Sequence, residues 1–168
     1  YGTSVPVGLV SEFIDEGESA YVIMGDQFFW RQDGGSNAAG LAELVAERGL
    51  TAGLLGNPVE DEFIPQTGII EKDEEGNFVR IVEKPKLEEA PSNLNNSSFY
   101  VLPKEVFELA RILPANPIRG EFELTDAINA YVAGGGKLVV GEAKGEYMEC
   151  GSPKGWLAAN NRMFELDI

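Results

Sequence analysis

Short apolar runs of strand type alternate with amphipathic stretches of helical period along this chain, and that interleaving admits few architectures. Val7, Val10, Phe13 and Ile14 recur at helical spacing after Ser4, which reads as an N-cap with Pro6 tolerated in the first turn; the spacing predicts a helix to about Asp15. Gly17 ends it, and the run 20–24 reads as a strand buried on both faces, finishing in Gly25-Asp26. A polar loop passes through Asp33-Gly34-Gly35-Ser36, a second amphipathic helix covers 37–48, and 51–55 is a strand. The segments 68–72 and 78–82 flank Asp73-Glu74-Glu75-Gly76-Asn77, a hairpin signal. A strand at 97–102, helices at 104–113 and 124–132, a strand at 137–140 and a last helix opened by Ser152-Pro153 and running to about Leu166 complete the pattern. The class is α/β with a hairpin-rich insertion, organised as a single domain over 1–168.

Composition narrows the chemistry. With 43% hydrophobic and 24% charged residues, the chain lies in the ordinary globular range. It contains no histidine, which removes the usual imidazole base and the commonest zinc ligand. Its one cysteine, Cys150, excludes an internal disulfide framework, fits a reducing cytoplasm, and reads as a small filler rather than a nucleophile. The formal net charge of −15 repels nucleic acid and anionic lipid, so neither is an expected partner, and no apolar run is long enough to span a bilayer. A phosphate ligand would need local help from a divalent metal, a few lysines or backbone N–H groups. The first residue, Tyr1, is not a start methionine, and the chain reads as a piece of something longer.

Three places offer chemistry. Val82-Glu83-Lys84-Pro85-Lys86 puts a carboxylate and an ammonium side by side at the end of a strand, a pairing suited to a ligand with hydroxyls and a phosphate; Pro85 stops the strand. Asp26 follows a strand at the end where open α/β sheets bind ligands, and Gly25 lets backbone approach closely. It suits either a turn or a hard cation. Glu149 precedes the last helix, where it either shares a metal with Asp26 or complements the helix dipole. Asp33-Gly34-Gly35-Ser36 lacks the lysine and helix register of a phosphate loop, and the acidic runs at 71–75 and 88–89 read as solvated surface.

In order and spacing, Gly2-Thr3-Ser4, Gly25-Asp26, Gly68, Glu83-Lys84-Pro85-Lys86, Ala90-Pro91-Ser92-Asn93-Leu94, Tyr100-Val101-Leu102, Glu123-Leu124-Thr125-Asp126-Ala127-Ile128 and Glu149-Cys150-Gly151 resemble the sugar-phosphate nucleotidyltransferases. The resemblance is nearest to the branch that transfers a uridylyl group from UTP to glucose-1-phosphate, releasing pyrophosphate. It implies a Rossmann-like, GT-A-like sheet with helices on both faces and a hairpin-rich sugar-binding part. The family's opening strand and glycine-rich triphosphate loop are lacking, so the chain would be the central and C-terminal portion of a catalytic domain. The resemblance also implies Mg²⁺ held by Asp26 and Glu149, small-molecule substrates, a homo-oligomer and a cytoplasmic location. By the same resemblance Asp26 and Lys84 carry the catalytic roles, Lys84 on the sugar phosphate. Glu83 would bond sugar hydroxyls; Gly25, Gly68 and Asn96 would line the substrate; Tyr100 would lie near the phosphate and Gly2 against the base. The chain departs from the family at Glu149, usually aspartate, at Thr67, often tyrosine, and at Ser98, often glycine. Gly25-Asp26-Gln27-Phe28-Phe29 looks closer to the thymidylyltransferases. A non-catalytic sugar-phosphate or nucleotide-sugar binding module is a further alternative, and a GT-A glycosyltransferase a weaker one for want of an Asp-x-Asp pair.

Overall fold

A computed structural model describes residues 1–166. Six strands form the main sheet in the order β5 (Phe78–Glu83), β4 (Gly68–Lys72), β6 (Leu94–Pro103), β3 (Gly53–Pro58), β7 (Val139–Glu142), with β1 (Ser19–Ile23) also on β6. β6 is the organising strand. β3 runs along one of its edges, while β4 and β1 share the other, β4 at Asn95 and β1 from Phe99 to Pro103. Pairing is antiparallel except between β3 and β7. A separate two-stranded ribbon joins β2 (Gln27–Trp30) to β8 (Glu146–Glu149).

Side chains alternate across a strand, so adjacent apolar residues serve opposite faces. Leu54, Leu102 and Val140 enter a core with Val106 and Phe107 of α3 (Lys104–Ile112), Ala127 and Ile128 of α4 (Leu124–Ala133) and Val7 of α1 (Ser4–Leu9). Their neighbours Leu55, Val101 and Val139 pack on the other face against Leu41 and Val45 of α2 (Asn37–Glu47). Helices therefore cover both faces, as expected. A Cβ at Gly53 would come within 2.6 Å of Val45 Cγ2, so the bare backbone is what lets α2 lie this close. The last helix, α5 (Pro153–Glu165), is capped by Ser152, whose Oγ accepts from Gly155 N at 3.0 Å. It is tied to β8 by a two-pronged pair, Arg162 Nε and Nη2 donating to Glu146 at 2.7 and 2.9 Å.

Four expectations need correction. The first helix stops at Leu9 and gives way to a short 3₁₀ turn, Ser11–Phe13, leaving Phe13 83% exposed. Ser4 is not its cap: Thr3 holds that position without a side-chain cap bond, and buried Ser4 Oγ instead donates to Ala110 O at 3.0 Å. β1 is not buried on both faces. Ala20 and Val22 pack on the core, but Tyr21 and Ile23 are nearly half exposed, because no described element covers their face. The stretch read as loop after Asp26 forms β2, paired with a β8 that the sequence reading omitted; a four-residue strand whose partner lies at the far end of the chain leaves little local signature. Several strand bounds also shift by two or three residues, as for β3 and β6.

Beside β1, the apolar side chains of Val5, Val10, Phe13, Tyr21 and Ile23 line an open trough of about 970 Å³. Among the described residues no helix is long and apolar enough to cross a membrane. Phe107, 1% exposed at the junction of α3 with the sheet, is the largest fully buried side chain. Phe107→Ala is expected to lower stability by about 3–5 kcal/mol, measured by denaturant unfolding against the parent chain.

Candidate active site

The ribbon β2–β8 brings Asp26 and Glu149 together. Gln27 is paired with Glu149, and Cys150 N donates to Asp26 O at 2.7 Å, so the two acidic residues are brought side by side from opposite ends of the chain. Their carboxylates converge over Gly151. A Cβ built there would lie 2.7 Å from Glu149 Oε1 and 3.0 Å from Asp26 Oδ2. Glu149 is steadied from the helix side as well, where Ser152 Oγ lies 3.2 Å from its Oε2. Tyr147, next along β8, has its phenol pushed up to about 12, first by burial and then by the negative charges of Glu149 and Asp26.

Five other residues singled out in the sequence gather at a cavity of about 330 Å³ whose wall includes Glu149. Gly68 enters from β4, Glu83 and Lys84 from the end of β5, Asn96 and Tyr100 from β6. Glu83 leans over Gly68, where a Cβ would sit 2.9 Å from its Oε1, so this glycine makes room for the carboxylate. Tyr100 is buried and its phenol is pushed up to about 12, chiefly by desolvation; Asn96 Nδ2 donates to its oxygen at 2.7 Å. It is therefore a neutral group at any physiological pH.

Among the described residues, Lys84 and Ser98 are the non-glycine residues at positive φ, 48° and 56°, and both line this cavity. Such backbone is costly for an L-residue and concentrates where a site demands it. At Lys84 the turn follows directly on β5, and Lys84 N donates to Thr67 O at 3.0 Å, carrying the side chain away from the strand direction. At Ser98 it accounts for the glycine that the resemblance leads one to expect there.

Gly25 stands in open space before Asp26, with no atom within 4 Å of where a Cβ would be. Gly2 lies apart, in the apolar trough, packed so closely on Phe122 that a Cβ would meet its carbonyl oxygen. Thr3, Met24 and Glu121 line both trough and cavity, so the two are continuous. Lys86 is outside, paired with Glu89 at 3.3 Å. Asp33 closes a turn by accepting from Gly35 N, and Ser36 caps α2, so that glycine-rich stretch is a turn and a cap.

Sequence reasoning missed Gln27, Arg119, Glu121, Glu123 and Thr125, all of which line the cavity. Arg119 bridges two carboxylates, Nε lying 2.9 Å from Glu123 Oε1 and Nη1 3.5 Å from Glu83 Oε2. The run Glu123-Leu124-Thr125-Asp126-Ala127-Ile128 was visible as a motif, but its spacing says nothing about which residues face a cavity, and Arg119 and Glu121 lie before it.

Glu83, Glu121, Glu123 and Glu149 outnumber Lys84 and Arg119 on the wall. Among the described residues no cluster of three or more acidic, histidine or cysteine side chains is placed to hold a metal. The two carboxylates at Gly151 supply hard oxygen donors, which fits a cation such as Mg²⁺ that takes few protein ligands and leaves its other positions to water and phosphate.

Comparison with known proteins identifies the family. The Nucleotidyl transferase family profile matches residues 1–165. The chain belongs to the nucleotidyl transferase family. Over 120 residues it is 38% identical to the bifunctional protein GlmU of Methanococcus maripaludis, an alignment covering 71% of this chain and 27% of that one. Over 86 residues it is 40% identical to a UTP–glucose-1-phosphate uridylyltransferase of Pseudomonas aeruginosa, covering 51% of this chain and 30% of the relative. A solved UDP-glucose pyrophosphorylase complexed with UDP-glucose superposes with a TM-score of 0.84 at 26% identity, over 98% of this chain and 62% of the other. The family member described here thus spans about a third or less of these curated relatives.

The geometry at Gly151 has a direct consequence. Gly151→Ala places a methyl group between the two carboxylates and is expected to weaken Mn²⁺ binding by about 10-fold or more, read by electron paramagnetic resonance titration with unchanged circular dichroism.

Proposed function

We propose that the protein containing this chain transfers a nucleotidyl group from a nucleoside triphosphate to a sugar-1-phosphate, with UTP and glucose-1-phosphate as substrates. The observation that carries the reading is the convergence of Asp26 and Glu149 over Gly151, at the rim of the cavity that holds Glu83 and Lys84. In this reaction an oxygen of the sugar phosphate attacks the α-phosphorus, a P–O bond forms there, and the bond to pyrophosphate breaks. Phosphoryl-type transfer asks a protein for alignment and charge neutralisation more than covalent help.

Each wall residue has a part in that task. Asp26 and Glu149 would hold Mg²⁺, which when bound supplies positive charge to the phosphate oxygens. Lys84 sets an ammonium on the sugar phosphate, its direction fixed by the strained turn. Glu83, with side chain one-third exposed and steadied by Arg119, accepts from sugar hydroxyls. Tyr100, neutral and buried, offers a phenolic hydrogen bond without adding charge. The excess of carboxylates on the wall supports a metal requirement, since a dianionic phosphate entering alone would meet net negative potential.

Thymidylyl transfer is the competing reading, favoured by the run Gly25-Asp26-Gln27-Phe28-Phe29. Pyrophosphate release by the full-length protein, with UTP or TTP and glucose-1-phosphate, decides between the two; binding without release under either triphosphate would instead favour a non-catalytic module. Asp26→Asn keeps volume and removes charge, so turnover is expected to fall by about 100-fold or more with the unfolding midpoint preserved. Unchanged turnover would contradict the assignment. Lys84→Ala is expected to raise KM for the sugar phosphate by about 10-fold while KM for the triphosphate stays within twofold or so, as measured by initial rates.

A further inference from the structure

Among the described residues, the buried side-chain oxygens without a hydrogen-bond partner are Gln27 Oε1 and Glu123 Oε2. Both residues line the same cavity. Buried polar atoms in folded proteins are nearly always satisfied, and an orphan carboxylate oxygen is the more costly kind. Two orphans on one wall mark where an incoming molecule supplies donors.

We propose that Glu123 determines which sugar the site accepts: Arg119 holds its Oε1, and Oε2 is left to accept a hydrogen bond from one hydroxyl of a pyranose phosphate. The proposal rests on the reading of this cavity as a sugar-phosphate site. Glu123 is far less exposed than Glu83, with side-chain values of 8% and 33%, so the two carboxylates meet a ligand at different depths. Arg119 contacts both, which fixes their spacing; burial pushes the carboxyl of the deeper one up, and Arg119 opposes that shift. The donor is a hydroxyl and not the phosphate, because a phosphate has no donor at neutral pH and would be repelled by Glu123 and its acidic neighbours. Lys84 remains for that end of the ligand. Gln27, whose Nε2 donates to Ser98 Oγ at 3.4 Å, adds a second group for reading hydroxyls beside the carboxylate pair at Gly151.

The test is calorimetric titration of the full-length protein with glucose-1-phosphate and each of its monodeoxy analogues. One analogue is expected to bind on the order of 10- to 100-fold more weakly than the parent because it leaves Glu123 unmet. In Glu123→Gln that penalty should shrink at least roughly fivefold, whereas penalties at the other hydroxyls persist. Glu83→Gln should relax a different position. If Glu123→Gln does not fold, Glu123→Asp keeps charge beside Arg119 but withdraws the free oxygen, and the same selective loss is expected. Sugar phosphates that bind with every deoxy penalty unchanged in the folded variant would overturn the role of Glu123 alone, leaving it a residue that merely orients Arg119. A full-length protein that binds no sugar phosphate would overturn the reading of the cavity and this proposal with it.

Discussion

The antiparallel pairing of Gln27–Trp30 with Glu146–Glu149 is the contact on which the site depends. It is a small ribbon, set apart from the main sheet, yet it joins the beginning of the chain to its end. Without it, Asp26 would be a turn residue after a strand and Glu149 a carboxylate before a helix, each with an ordinary structural explanation. With it, the two share the space above Gly151. The ribbon is held by α5 through Arg162 and Glu146, and by the ring of Tyr147 tilted against Phe29 with centroids 5.3 Å apart.

The main sheet supplies the opposite wall. β6 reaches from the hairpin β4–β5 to β1, so one strand carries Asn96 and Tyr100 into the cavity and Val101 and Leu102 into the two cores. The rigidity of those cores is what makes a strained backbone tolerable at Ser98 and Lys84. Positive φ at a serine and a lysine is unfavourable locally and survives because Ser98 is held within β6 and Lys84 N is tied to Thr67 O. Strain and binding groups therefore coincide, and the coincidence is a consequence of where strand ends meet.

Charge is the second organising constraint. The chain carries −15 overall, and the cavity wall repeats that bias, with carboxylates in excess of Lys84 and Arg119. Arg119 spends its guanidinium on Glu83 and Glu123, which leaves Lys84, among the described residues, as the cation without a carboxylate partner on the wall. A site with this balance recognises hydroxyl donors readily and anions only with help. Sugar phosphates present both kinds of group, which is why the carboxylate pair at Gly151 and the lysine at the end of β5 belong to one functional reading.

Much of this was legible from residue order. Periodicity found α2 to α5 and the β4–β5 hairpin, because amphipathic stripes and turn residues are local properties. The Glu83-Lys84 pair at a strand end suggested a ligand with hydroxyls and a phosphate, and the order of motifs carried the family resemblance. Other features were beyond its reach. Ser4 does not cap the first helix because its hydroxyl is drawn to the carbonyl of Ala110, a contact made across the fold. β2 and β8 were overlooked because a four-residue strand exists only through its partner. Arg119 and Glu123 were passed over because facing a cavity depends on how a loop is turned by everything packed behind it. Residue order thus specified the elements and the chemical groups available. Which carboxylates meet, and which oxygen stays without a donor, followed from long-range pairing, whose geometry no short stretch of chain encodes.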